Sequence, residues 1–194
     1  MGRKSRRVPV HLDAKGLEEL PEHELLAVLR GADDLIAQGG RTLLMRILRG
    51  SANKDVLDRG LDQSPVYGYF RDLSNEDTLA RIDWAILNGY LSIEHTNRLP
   101  LLGYTQKGWE IEREQYANEL LSGIETTLRD GPPYHMAHLK DRDRGMILLL
   151  LDKIAATGDT RFIPALEAWK RVDYKKVQQR IRQTIQRLEA SSGR

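Results

Sequence analysis

Apolar residues recur at helical spacing along nearly the whole chain, and glycine cuts that pattern into short pieces. This punctuation constrains the fold most, because it forbids one continuous coiled coil and leaves helices short enough to share a core. Leu25, Val28, Leu29, Ala32 and Ile36 define a helix over residues 21–38, stopped by Gly39 and Gly40. Leu44, Ile47 and Leu48 define a second over 41–49, with Gly50 as its C-cap. Ser51 can cap a short third helix ending near Gly60. Ser74, Asn75, Glu76 and Asp77 are a strong start for a helix over 74–88. There the hydroxyl accepts from an amide three residues on, and the acids suit the positive end of the helix dipole.

One stretch departs from helical spacing. Residues 90–94 and 99–105 lean towards strand and flank the polar His95, Thr96, Asn97 and Arg98, which predicts a hairpin. A long helix over 107–128 follows, with Trp109, Tyr116, Leu120, Ile124 and Leu128 on one stripe. Asp130, Gly131, Pro132 and Pro133 cannot continue it and form the best internal boundary. Three further helices are expected over 141–157, 160–170 and 173–190, the last with Val177, Ile181, Ile185 and Leu188 on one face.

Composition removes several function classes. The 194 residues contain no Cys, which excludes disulfide scaffolds, zinc ribbons, iron–sulfur clusters and thiol catalysis. The longest apolar run, 146–151, is far short of a membrane span, and no apolar segment follows the basic start as in a secretory signal. A cytoplasmic protein without membrane contact is expected. The net charge of +2 is small but unevenly placed. Arg3, Lys4, Arg6 and Arg7 crowd the start, and Lys170, Arg171, Lys175, Lys176, Arg180, Arg182 and Arg187 face only Asp173 near the end. A basic tail and a solvated helix face explain this blandly; attachment to phosphates or an acidic partner is the sharper reading.

Three helices followed by a hairpin over 41–105 are the winged-helix layout, mainly α with a small β-hairpin, in which the third helix usually reads a groove. The ordered runs Leu48–Lys54, Gly60-Leu61-Asp62, Val66-Tyr67-Gly68, Arg71–Ser74, Ile86–Leu91 and Leu102–Thr105 closely resemble the RQC domain. That module follows the zinc-binding part of RecQ-family DNA helicases. The remainder of the chain looks like the stand-alone RQC-minor group, which lacks a helicase motor. The sequence departs from the helicases in two ways: it has no GxxxxGK[ST] phosphate loop and none of their zinc-binding cysteines, so only DNA binding carries over. The resulting organisation is a basic flexible N-terminus at 1–20, an RQC-like winged-helix domain with flanking helices at 21–130, and a C-terminal helical extension at 131–194.

The resemblance implies DNA binding, without unwinding, in a setting such as repair or recombination. The candidate DNA-contacting residues are Arg49, Ser51, Asn53, Lys54, Arg71, Ser74, Thr78, Arg81, His95, Arg98 and Leu99. Arg49 and Ser51 match family positions that touch phosphate, and the plainer alternative is that Gly50-Ser51 is a C-cap and N-cap pair. In the family the wing tip can wedge against a terminal base pair; here it offers His95, Asn97, Arg98, Leu99 and Pro100, with no Phe or Tyr. On the helix over 74–88, Leu79, Ile82 and Ile86 face inward and Asp77, Arg81, Trp84 and Asn88 outward. Its carboxylates disfavour the major groove, and Trp84 is expected to anchor the C-terminal helices.

Other chemistry is weaker. His135, His138, Asp141 and Asp143 superficially suggest a metal site, but their spacing after two prolines fits no known ligand set. No carboxylate pair stands out as a general acid and base, so neither catalysis nor a cofactor is expected. The expected partner is duplex DNA, with forks or ends preferred, plus a protein partner at the C-terminal helices. Two rivals remain open: a sequence-specific winged-helix regulator and a protein-interaction module. Neutralising about five phosphates would give a log–log salt slope of roughly −4 to −5.

Overall fold

A computed structural model describes residues 8–96 and 98–192 of the chain. The basic stretch 1–7 and the turn residue Asn97 therefore lie outside the described residues. Two compact units are present, 1–112 and 113–194. Their division falls inside the long helix, so the Asp130–Pro133 break expected to separate domains lies within the second unit.

The first unit contains α1 (Glu22–Asp33), α2 (Arg41–Arg49), α3 (Lys54–Leu57), α4 (Asn75–Leu87), β1 (Leu91–Thr96), β2 (Leu99–Tyr104) and the start of α5 (Gln106–Asp130). Val28, Leu29, Leu44, Ile47, Leu48, Val56, Ile82, Ala85, Leu91 and Leu102 join in one enclosed core. Full burial of each such large aliphatic chain is worth about 1.5–3 kcal/mol. The core therefore holds α1 to α4 and the hairpin as one piece.

Local departures from the expected boundaries have tertiary causes. Helix α1 ends at Asp33 instead of residue 38, because the segment after it is used by the hairpin. Ala37 takes a φ of 59° and donates its N–H to the Leu102 carbonyl at 2.9 Å, while the Gly39 carbonyl accepts from Leu102 N–H at 2.8 Å. These two bonds pin the outer edge of β2. Ser51 does not cap α3. Its N–H closes the end of α2 on the Arg46 carbonyl at 2.9 Å, and Asn53 is the N-cap, accepting from Asp55 N–H at 3.0 Å. The strands pair antiparallel with His95 opposite Pro100 and Thr96 opposite Leu99, so His95, expected in the polar link, belongs to a strand.

Helix α4 packs against α1, α2 and β1. Asp83 on it is buried and accepts both from Arg41 Nη1, at 2.5 Å to each carboxylate oxygen, and from Asp13 N–H at 2.8 Å. A charge enclosed this deeply persists only when paired and hydrogen-bonded, so the pair fixes α2, α4 and the N-terminal segment together.

The second unit holds the rest of α5, then α6 (Arg144–Thr157), α7 (Ile163–Val172) and α8 (Lys175–Ser192). Val177, Ile181, Ile185 and Leu188 of α8 are buried, as the spacing predicts. Trp169 is fully enclosed, and its Nε1 donates to Asp173 at 2.6 Å.

Candidate nucleic-acid interface

The first cluster forms where α2 ends. Gly50 adopts a φ of 69° and Gly68 a φ of 73°, and a Cβ on Gly50 would sit 3.0 Å from the Cα of Gly68. Glycine at position 50 thus permits both the left-handed turn and the close approach. Gly68 N–H donates to the Ile47 carbonyl at 2.9 Å and Phe70 N–H to the Leu48 carbonyl at 2.7 Å, zipping the 66–71 turn onto the helix end. Arg49 reaches across this knot, donating through Nη1 to the carbonyls of Phe70, at 3.1 Å, and Arg71, and through Nε to Asn75 Oδ1 at 3.3 Å. The structure thus brings Arg49, Arg71 and the Ser74-Asn75 start of α4 together. Arg49 mainly holds this turn in place. The exposed Arg71, whose Nε donates to the Gly68 carbonyl at 3.1 Å, carries the outward charge.

Asn53 and Lys54 are exposed at the start of α3. Beside them stand two cations absent from the sequence-derived set. Arg46 contacts Asn53 Oδ1 at 3.4 Å and Asp55 at 3.3 Å, and the exposed Arg59 donates to the Gln38 carbonyl at 3.4 Å. Both line a depression of about 410 Å³ next to the wing root, together with His11, Arg41 and Pro100. Nothing in the local spacing marks them, because it is the fold of the hairpin that brings Pro100 to α2.

The wing carries the remaining candidates. Arg98 is exposed at the turn, and Leu99 is 64% exposed, the barest large apolar side chain among the described residues. His95 is tied back, with Nε2 3.1 Å from the Val8 carbonyl, while Val8 N–H donates to the Arg98 carbonyl at 3.3 Å. The N-terminal segment therefore braces the wing and leaves its tip open.

On α4 the expectations are corrected. Thr78 is fully buried, its hydroxyl donating to the Ser74 carbonyl at 2.9 Å, so it cannot reach DNA. Arg81 is committed to Glu24 of α1, with Nε 2.7 Å from Oε2, and its guanidinium lies 5.5 Å from the Phe70 ring centroid. Ser74 is occupied as N-cap, accepting from Asp77 N–H at 3.0 Å and donating to its carboxylate at 2.8 Å. That hydroxyl, followed by Lys15, holds the Asp77 carboxyl below its ordinary range. Trp84 is covered from within its own unit, where its Nε1 donates to the Glu18 carbonyl at 3.3 Å and its ring stacks on Tyr90 at 5.8 Å. The N-terminal segment thus supplies the cover expected from the C-terminal helices. Burial pushes the Tyr104 phenol up, and its hydroxyl donates to the Leu29 carbonyl at 2.7 Å, a further tie between wing and core.

The histidine–aspartate stretch has structural employment. His138 Nδ1 lies 3.0 Å from the His135 carbonyl, Asp143 caps α6 by accepting from Met146 N–H at 2.9 Å, and Asp141 accepts from the Tyr174 hydroxyl. Among the described residues no group of three or more metal-ligating side chains converges, and no helix is long and apolar enough to cross a membrane.

Comparison with known proteins adds one finding to this geometry. No curated protein and no solved structure matched the chain. The family model for the RQC domain matches residues 23–120, just over half of the 194 residues, and spans α1, the turn knot, α4, the wing and the start of α5. Three packed helices, a β-wing and this match agree: the chain belongs to the RQC domain family, whose module is a DNA-binding winged helix.

Proposed function

We propose that this chain is a non-catalytic, nucleoid-associated cytoplasmic DNA-binding protein that grips the sugar-phosphate backbone and prefers ends or forks. The observation that carries this reading is the contrast in exposure within one winged helix. Helix α4, where a groove-reading helix would be, spends Arg81 on Glu24 and buries Thr78 and Trp84, whereas Arg98 and Leu99 stand open at the wing tip. Backbone contact positions a protein without reading bases, and cations at Lys54, Arg71 and Arg98 suit that task. An apolar tip beside a cation also suits a terminal base pair, whose outer face is unstacked. The covered α4 argues against a sequence-specific regulator, which needs a helix free to enter the major groove.

Fluorescence anisotropy with a blunt duplex, a fork and a duplex closed by hairpin loops at both ends tests this directly. Tighter binding of the blunt and forked DNA is expected, with a log–log salt slope of roughly −4 to −5 for about five neutralised phosphates. Equal affinity for all three removes the end preference. No retention of any oligonucleotide in dilute buffer overturns the whole reading.

A further inference from the structure

The second unit contains an open depression of about 410 Å³ with an apolar floor and a cationic rim. Leu139, Ile147 and Val177 form the floor, and Arg144, Lys175 and Lys176 stand around it. At its edge is Tyr174, 57% exposed. The Tyr174 hydroxyl donates to Asp141 Oδ1 at 2.5 Å, which fixes the ring, and Lys140 Nζ lies 4.9 Å from the ring centroid over one face. The ring also borders the depression itself.

The charges divide sharply by occupation. The neighbouring carboxylates are all engaged: Asp141 by Tyr174, Asp143 as the cap of α6, and the buried Asp173 by Trp169 Nε1 and Tyr174 N–H, each at 2.6 Å. Arg144, Lys175 and Lys176 are exposed and form no ion pair among the described residues. The two lysines also occupy the first turn of α8, where the helix dipole disfavours cations, so helix stability does not account for them.

We propose that this depression is a second nucleic-acid contact, separate from the wing, that takes an unpaired base of a single strand. The base stacks on the Tyr174 ring above the apolar floor, and the rim cations hold the flanking phosphates. An exposed ring set among cations is the arrangement that single strands exploit, because every unpaired base offers a flat face while a duplex keeps its bases stacked on one another. An acidic peptide would satisfy the cations but leave the ring without a planar partner.

The test uses the full chain with a fluorescent dT20 strand and, in parallel, a blunt duplex. Tyr174→Ala is expected to weaken dT20 binding by about fivefold or more, the range that loss of one base–aromatic stack produces. Tyr174→Phe should stay within about twofold, since the stacking face is kept. Lys175→Glu with Lys176→Glu should weaken dT20 binding and lower its salt slope by about 1.4. Blunt-duplex affinity of Tyr174→Ala should match the parent, whereas Arg98→Glu should weaken duplex binding about tenfold, so the two contacts fail independently. Thermal melting checks that each variant is folded, and the lysine pair, at exposed positions, keeps the test decisive if Tyr174→Ala is unstable. Unchanged dT20 affinity in both variants overturns the proposal. So does loss in the lysine variant alone while folded Tyr174→Ala binds normally, because the stack is then absent. Retention of the parent protein on phosphatidylserine vesicles without any dT20 binding would assign the patch to a lipid surface instead and equally overturn it.

Discussion

Helix α4 and the β-wing lie side by side in one unit and have opposite relations to solvent. The helix is wrapped: Asp83 is locked to Arg41, Arg81 to Glu24, and Trp84 sits under the N-terminal segment. The wing is tied down through its backbone and His95, while the side chains of Arg98 and Leu99 at its tip stand bare. The side chains that give α4 its polar appearance in the sequence hold the fold together, and the few at the wing tip remain for a partner. In a winged helix of this kind, polarity along the third helix is therefore a poor guide to the interface, and unpaired charge is a better one.

The strongest challenge to this contrast targets the wrapped side. Asp83→Ala leaves the Arg41 guanidinium without its partner, and a loss of about 3–5 kcal/mol is expected from a denaturant midpoint. A loss under about 1 kcal/mol would show that the pair does not hold α4 in place. On the open side, Arg98→Glu should weaken duplex binding about tenfold and reduce the salt slope by about 1, with the melting temperature unchanged. Arg81→Gln should invert that pattern. Stability should drop by about 1 kcal/mol, the worth of a partly enclosed ion pair, while duplex affinity stays within about twofold. If it instead behaves like Arg98→Glu, α4 belongs to the interface and the contrast collapses. The smallest effect concerns the start of α4. Ser74→Ala should cost about 1 kcal/mol as a lost N-cap and move the Asp77 titration, followed by carboxyl NMR, up towards 3.8. The sign follows from linkage: a carboxyl held low in the folded protein stabilises it above its unfolded value and ceases to do so as acid protonates it, so removing Ser74 reduces that contribution.

Local grammar carried much of the fold into view. Helix α2 runs from Arg41 to Arg49 as its apolar spacing and Gly50 dictate, and α4 begins one residue after its Ser74 cap. Arg49-Gly50 and Tyr67-Gly68 entered the sequence reading only as parts of two separate runs resembling the RQC domain, and the structure places their two glycines in contact. What stayed hidden was cover supplied from afar. Arg81 meets a carboxylate 57 positions away and Trp84 a carbonyl 66 positions away, and no periodicity on α4 announces either partner. Ser51 misled for a subtler reason, since a cap residue directly after Gly50 was drawn into finishing the previous helix. Tyr174 was read only as part of the first turn of a helix over 173–190, whereas α8 begins at Lys175 and leaves Tyr174 exposed just before it.

The double link between Leu102 and the 37–39 segment has a kinetic consequence. A two-stranded ribbon alone is marginal in water, and those two bonds lend it a third edge partner that is present before any encounter. The wing thus reaches its target preformed, association carries no ordering penalty for the ribbon, and the speed of capture is left to electrostatic attraction.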